Sequence, residues 1–391
     1  MSLKAAIYDP YLDTLGGGER YCLTVGELLS KSGYEVDIFW SGNQELLNQA
    51  TDRFGLDLSQ IRLTPDIFGL VPEKIDLLDQ PPEILKSRSN NSSNIFKKIK
   101  NFFNKYRILS RYDLIFYLSD GSVPFLFAKK NILHVQVPFI LVEDFKAKLV
   151  NLIKNIFIHK IICNSNFTAK FLGQFSPSKV SILYPPVDVE SFYPSKQKEN
   201  IILSVGRFDN VLNAKKQDVL VEAFKKIIQN NPSSNWKLIL MGGSREKPEN
   251  NHYLNHLKHL ANDLPIEFIV NPDFEKLKEI YSISKIYWHA AGYGVDEMSH
   301  PEETEHFGMT VVEAMASGLV PVVISRGGLT EIVKDTINGF TWQSIEELVA
   351  KTQLLLASPS ELNKLSISSK ESSSQFSKKV FEDKIISLIK Q

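Results

Sequence analysis

The sequence predicts an α/β protein made of two doubly wound domains in tandem, and three observations carry that prediction. Short apolar runs alternate with helical patterns along almost the whole chain, which signals βαβ units around a parallel sheet. At 391 residues the chain exceeds the size at which one core keeps growing, so two domains are expected. The alternation pauses at 184–200, "YPPVDVESFYPSKQKEN", where three prolines and a charged end mark a linker, and then restarts.

In the first half, "KAAIYDP" reads as the opening strand, and "GGGERYCLTVGELLSKSG" as a glycine turn and a helix ended by Gly33. "EVDIFW" follows as a second strand, then "YDLIFYLSD", "NILHVQVP" and "KIICNS", each bounded by turn residues. In the second half, strands "NIILSVGRF", "WKLILMGG", "IEFIVNP", "IYWHAA" and "VPVVIS" alternate with helical segments. Those include "KKQDVLVEAFKKIIQN", "DFEKLKEIYSIS" and "GGLTEIV". After Ser366 the chain turns Ser-rich and then amphipathic, "FSKKVFEDKIISLIKQ". In such domains ligands enter the crevice outside the carboxyl ends of the strands.

Composition narrows the function classes. Apolar residues make up 43% of the chain, enough for large buried cores, and the 45 basic and 45 acidic residues cancel. That balance supplies no global drive toward nucleic acid, and no nucleic-acid partner is expected. Cys22 and Cys163 are far apart in apolar surroundings, which argues against a disulfide or zinc framework. "MSLKAAIYDPYLD" has no leader pattern, and no window of eighteen uncharged apolar residues exists to span a membrane. The expectation is a soluble, reduced, cytoplasmic protein, in which "NFT" at Asn166 matches a glycosylation sequon by chance.

The chemistry concentrates in "PEETEHFGMTVVEAMASG", residues 301–318, where seven residues separate Glu305 from Glu313. A helix opening near Gly308 would present free N–H groups and the positive end of its dipole, a natural seat for a phosphate, with the Thr310 hydroxyl beside it. Glu305 lies in the loop before that helix and Glu313 about one turn inside it, so the two bracket the phosphate position. Carboxylates beside a phosphate make sense if they accept hydrogen bonds from hydroxyl groups, which a nucleoside diphosphate sugar offers on both sides of its diphosphate. Taken alone, the pair also fits a helix-end charge and a surface glutamate. Arg207, just after the first strand of the same half, and Lys216, at the start of the next helix, suit a diphosphate. Either one alone also fits a solvated loop charge. "LGGGER" lets backbone approach a ligand, or is simply a tight turn.

On "GGGER", "ICNSNFTAKFL", "YPPVD", "SVGRF…KKQD", "EHFGMTVVEAMASGLVPVV" and "GGLTEIV", the chain resembles the retaining glycosyltransferases of family 4 (group 1) with the GT-B fold. The resemblance implies two Rossmann-like doubly wound domains facing across a cleft. Residues 1–190 would form the acceptor-binding domain and 191–370 the nucleotide-sugar-binding domain, with 371–391 a C-terminal helix packing back on the first. It implies that Glu305 contacts hexose hydroxyls, Glu313 the ribose, and Arg207 and Lys216 the diphosphate. The Phe307, Gly308, Met309 and Thr310 backbone would lie near sugar and phosphate. Gly17 and Gly18 would let the first loop close over the donor, and His134 would sit near the transferred sugar. Base choice is placed at "IVNPDF", from Val270. Two departures stand out: three extra residues separate Arg207 from Lys216, making Lys215 the competitor for the diphosphate, and Gln217 stands where the family often has glycine. The stretch "GYGVDEMSHPEE" before Glu305 is also long.

The implied reaction is metal-independent, cofactor-free hexose transfer with retention, giving an alpha linkage to a saccharide or lipid-linked acceptor. No Asp-x-Asp motif stands at a strand end. A partial likeness to mannosyltransferases that extend lipid-linked oligosaccharides points to GDP-mannose as donor. An epimerase-like nucleotide-sugar enzyme and a non-catalytic nucleotide-sugar-binding subunit are the alternatives. Between Glu83 and Asp113 there are eight basic residues (Lys86, Arg88, Lys97, Lys98, Lys100, Lys105, Arg107 and Arg111) and no acidic one. Ile95, Phe96, Ile99, Phe102, Phe103 and Tyr106 recur among them at helical spacing. Two readings stay open for 86–111: a domain helix packed on the sheet, or an anionic membrane surface contact that would place the protein on the inner face of the membrane.

Overall fold

The computed structural model describes residues 2–69, 95–119, 121–139, 145–173, 175–210, 214–244 and 247–390. The chain divides into two compact units. One comprises Met1–Asn164, Thr168–Leu183 and Lys384–Gln391, the other Ser165–Phe167 and Tyr184–Asp383.

The first unit carries β1 (Leu3–Tyr8), α1 (Gly17–Lys31), β2 (Tyr34–Phe39), α2 (Glu45–Phe54), β3 (Ile61–Thr64), α3 (Ile95–Leu109), β4 (Leu114–Ser119), β5 (Lys130–Val135), α4 (Phe145–Phe157), β6 (Lys160–Cys163), most of α5 (Asn166–Lys170) and β7 (Val180–Ile182). Its seven strands are all parallel in the order β3-β2-β1-β4-β5-β6-β7. Ile7 is paired with Ile38 on one side and Phe116 on the other. Strand β4 is buried along its whole length, as a parallel strand covered on both faces must be.

The second unit carries β8 (Ile201–Val205), α6 (Gln217–Asn230), β9 (Lys237–Gly242), α7 (His252–Leu260), β10 (Ile266–Val270), α8 (Phe274–Ile283), β11 (Ile286–His289), α9 (Met309–Ala316), β12 (Val320–Ile324), α10 (Leu329–Ile332), β13 (Phe340–Trp342), α11 (Ile345–Ala357), α12 (Pro359–Ser373) and the start of α13 (Lys378–Lys390). Its six strands are parallel in the order β10-β9-β8-β11-β12-β13. The strand order reverses between β8 and β11, so the crevice at their carboxyl ends is where a doubly wound sheet binds its ligand. Side chains fix the helix starts: Asn251 accepts from Leu254 N–H at 2.8 Å, and Asp273 from Lys276 N–H at 2.7 Å.

Three stretches differ from the sequence reading. The segment read as a linker packs on the second unit, and the division falls at Leu183–Tyr184 rather than after residue 190. Tyr184 stacks on Phe307, Val187 N–H donates to Phe376 O at 3.0 Å, and Lys198 Nζ donates to Ser284 O and Ser317 O at 2.6 and 2.8 Å. Those two carbonyls belong to the C-caps of α8 and α9, where an ammonium also meets the negative helix ends. The Ser-rich stretch is helix α12. Ser366 and Ser369 hydroxyls donate to Gly318 O at 2.6 Å and Leu319 O at 2.8 Å, which seats the helix against the α9–β12 turn. The segment 371–390 is accordingly the end of α12, a single turn and α13. In the first unit, Lys130 Nζ donates to Leu388 O and Ile389 O near the end of α13. Asn166 of the sequon has structural work within the second unit: its side chain donates to Glu331 Oε2 at 2.7 Å. No helix among the described residues is long and apolar enough to cross a membrane.

Candidate active site

The carboxyl edge of the second sheet gathers the charged residues. Glu305 sits in the loop between β11 and α9, and Lys215 Nζ donates to its Oε2 at 2.7 Å with both side chains largely buried. Burial pushes the Glu305 carboxyl up, but the Lys215 ammonium and the adjacent His289 ring outweigh it and hold the group well below the usual carboxylate range. Glu305 is therefore ionised at neutral pH. The backbone is pinned as well: Gly328 N–H donates to Glu305 O at 2.8 Å. A side chain at position 327 or 328 would meet the Glu305 or His306 carbonyl at 2.2 Å, so the "GG" of "GGLTEIV" is required by this close approach.

Of the two lysines, Lys215 reaches Glu305, while Lys216 is the N-cap of α6 in the left-handed conformation (φ 53°) with no charged partner among the described residues. The Lys215 stem lies over Gly206, where a Cβ would come within 2.6 Å of Lys215 Cγ. Gln217 is buried, and its amide donates to Arg207 O at 2.9 Å, so it anchors the turn that carries Arg207. The Arg207 guanidinium is half-exposed, with Nε 3.4 Å from Asp209 Oδ2. Arg207 follows β8, one of the two strands at the reversal point.

Helix α9 starts at Gly308 (φ 110°), and Thr310 stands in its first turn. Tyr287 OH donates to Thr310 Oγ1 at 2.9 Å, and Tyr281 OH lies 3.2 Å from Glu313 Oε2. Both tyrosines are buried. Phe307 is buried, and Met309 and Thr310 are half-buried. Val270 is half-buried at the end of β10, followed by Asn271 at φ 53°. The insert before Glu305 reaches across to the glycine pair: Glu297 Oε2 accepts from Gly327 N–H at 3.0 Å. It also holds His300, Glu302 and Glu303, whose ligand atoms lie within 4.8 Å of one another at the surface.

Sequence reasoning missed Tyr281, Tyr287 and His289. The available signal for His289 was its place at the carboxyl end of β11, beside the reversal point.

In the first unit, Gly17 opens α1, and a side chain at Gly18 would run into Gln136 Oε1. The glutamate of "GGGER" is a cap: Glu19 Oε2 accepts from Gly16 N–H at 2.5 Å and Thr14 Oγ1 at 2.8 Å. His134 is wholly buried, stacked on Tyr21 with centroids 4.0 Å apart. Its Nδ1 meets Ile162 O at 3.0 Å and its Nε2 meets Gln136 Nε2 at 3.0 Å, which assigns the proton to Nδ1 in a neutral ring. Burial drives its pKa down to about 3.

A doubly wound sheet whose reversal point holds an ionised carboxylate, two cations and an open helix N-terminus defines a class: an α/β protein built for a ligand carrying both phosphate and hydroxyl groups. Comparison with known proteins is specific. The Glycosyltransferase Family 4 description matches residues 15–191 and the Glycosyl transferases group 1 description residues 189–372. The chain belongs to this glycosyltransferase family, and its fold is GT-B. A human GDP-Man:Man(3)GlcNAc(2)-PP-Dol alpha-1,2-mannosyltransferase is 33% identical over 232 residues, 54% of this chain and 44% of that protein. The chain thus spans less than half the length of that relative. A glycosyltransferase structure from Rickettsia africae covers 99% of this chain and 97% of its own at TM-score 0.72 and 19% identity. Anabaena HepE in complex with UDP and glucose covers 99% of each chain at TM-score 0.69 and 16% identity.

Two predictions follow from the geometry. Lys215→Met should strand the Glu305 carboxylate, costing about 3 kcal/mol in chemical denaturation, whereas Lys216→Met should stay within about 0.5 kcal/mol of the parent; equal losses would deny Lys215 its special place. For His134, the folded pKa of about 3 lies below the unfolded value of 6.5. As pH falls through that window the unfolded chain takes a proton that the folded chain refuses. Stability should therefore drop with acidity, by up to about 1.4 kcal/mol per pH unit from this group. His134→Gln should show a correspondingly shallower acid limb in urea titrations between about pH 6 and 4, and an unchanged limb would mean that the ring is protonated in the fold.

Proposed function

We propose that this chain transfers a hexose from a nucleotide sugar to a hydroxyl of a saccharide or lipid-linked acceptor, with retention, giving an alpha linkage, and without a metal ion. The observation that carries the reading is the Glu305 carboxylate, held ionised by Lys215 at the mouth of α9 with Glu313 one turn further in. Glu305 accepts hydrogen bonds from hexose hydroxyls and Glu313 from the ribose. Arg207, Lys215 and the first-turn N–H groups of α9 hold the diphosphate, and Lys216 is the second lysine within reach. Val270 and the turn after it face the base. The donor phosphate oxygen takes the acceptor's proton on the face where the sugar–phosphate bond breaks, so the new bond forms on that same face. The protein contributes position and stabilises the negative charge that grows on the leaving diphosphate. His134, neutral and tethered, adds no charge. GDP-mannose is the proposed donor, supported by the activity for which the human relative is named.

Thermal shift tests the site. GDP-mannose should raise the melting temperature by mass action, Glu313→Ala should lose the response, and EDTA should leave transfer intact. A response to a UDP sugar alone would overturn the donor, loss of transfer with EDTA would overturn metal independence, and silence toward all nucleotide sugars and free diphosphates would overturn the site.

The same reading places the first unit against an anionic membrane surface. Residues 86–94 lie outside the described residues, as do the side chains of 95–99, but the rest of α3 supports the contact. Leu109 enters the core, whereas Phe102, Phe103 and Tyr106 stay exposed beside Lys100 and Arg107. Helix α4, which has no acidic residue, leaves Leu152 63% and Ile156 72% exposed. Phe102, Phe125, Phe127 and Phe157 join the two helices edge to face. Apolar anchors flanked by cations suit anionic head groups, at about 1 kcal/mol per basic residue. The protein should sediment with phosphatidylglycerol vesicles at low salt and not with phosphatidylcholine ones, and Leu152→Asp with Ile156→Asp should release it. Absence of sedimentation, or self-association through this face in its place, would overturn the contact.

A further inference from the structure

His289 is wholly buried at the end of β11, and nothing in the transfer scheme above uses it. Its Nδ1 accepts from Ala291 N–H at 3.3 Å, which in a neutral ring assigns the proton to Nε2. Burial keeps the ring neutral, against the pull of the Glu305 charge. Nε2 lies 3.2 Å from Glu305 Oε2, off the line of a full hydrogen bond, so this buried N–H has no aligned acceptor. Lys215 Nζ approaches the same oxygen at 2.7 Å. Both groups therefore lie on the Oε2 side, and among the described residues neither approaches Oε1.

From this we infer that His289 is a positioning residue: in the sugar-bound state it sets the rotation of the Glu305 carboxylate, so that Oε1 is offered to the donor sugar. The inference rests on the proposed donor site. The division of labour follows from the chemistry of the two donors. An ammonium on a four-carbon stem is a flexible point charge that holds the carboxylate ionised without fixing its plane. An imidazole set rigidly in a strand, with its tautomer fixed by a backbone N–H, supplies direction without adding charge. When a sugar hydroxyl draws Oε1 toward itself, a small rotation of the carboxylate can bring Oε2 into line with the waiting Nε2–H. The bond would then strengthen only in the sugar-bound state, which is the condition for it to aid transfer.

The test compares His289→Leu, which removes the donor, with His289→Gln, whose amide N–H can occupy the Nε2 position. Three quantities are measured: affinity for GDP, affinity for GDP-mannose or whichever nucleotide sugar the wild type accepts, and kcat with that donor. His289→Leu should bind GDP within about twofold of wild type, lose the extra affinity that the sugar confers, and fall on the order of 100-fold in kcat. His289→Gln should recover most of both losses. Equal loss of GDP and sugar-nucleotide affinity, a glutamine variant as poor as the leucine one, or an unaffected leucine variant would each overturn the positioning role. A wild type that ignores every nucleotide sugar would sink the donor-site reading instead, and this inference with it.

Discussion

A carboxylate withdrawn from water requires a cation and a full set of donors, and meeting that requirement at Glu305 organises the carboxyl edge of the second sheet. The groups around Glu305 come from separate crossovers. Lys215 arrives on the turn after β8 and donates to the carboxylate, His289 stands beside it at the end of β11, and the backbone N–H of Gly328, on the turn after β12, donates to the Glu305 main-chain carbonyl. Each contact carries its own local demand. The Lys215 stem needs the bare backbone of Gly206, and the loop before α10 needs two successive glycines to lie against the Glu305 and His306 carbonyls. One ion pair and one backbone hydrogen bond thereby bring three turns together at Glu305.

Helix α9 adds the opposite charge. Apart from Thr310 and Glu313 its residues are apolar, so what it can offer a ligand is its N-terminus, one hydroxyl and one carboxylate. The buried hydroxyls of Tyr287 and Tyr281 tie that hydroxyl and that carboxylate to β11 and α8. Lys215, Glu305, the helix N-terminus and Glu313 thus present charges of alternating sign. A bare anion would be held by half of this array and repelled by the other half. A ligand with phosphates in the middle and hydroxyls at both ends satisfies all of it.

Much of this was readable in the chain because parallel strands are apolar throughout and helices keep their own period. The alternation between them in "NIILSVGRF" or "VPVVIS" therefore survives without tertiary context. The glutamate pair was readable because its spacing spans a helix start. Which of Lys215 and Lys216 meets Glu305 was not, since it depends on a left-handed backbone at Lys216 that no glycine announces. Helix α12 was hidden because its serines look like loop residues until the carbonyls of Gly318 and Leu319 are in place to receive them. The prolines of 184–200 mark a break in regular structure but cannot say what Tyr184 will pack against. A histidine inside "IYWHAA" looks like core until the strand order sets it beside β8.

The two units also differ in how they hold charge. Around the glycine turn of the first unit, burial suppresses ionisation. The His134 pKa falls to about 3, and Asp9 rises to about 8 through burial and its neighbour Glu19. Both side chains are therefore mainly uncharged near pH 7. In the second unit the Lys215 ammonium reverses the effect of burial and keeps Glu305 charged. Charge suited to an anionic ligand therefore stands at the carboxyl edge of the second sheet, on Arg207, Lys215 and the N-terminus of α9. At the glycine turn of the first unit, Glu19 is already committed to capping α1.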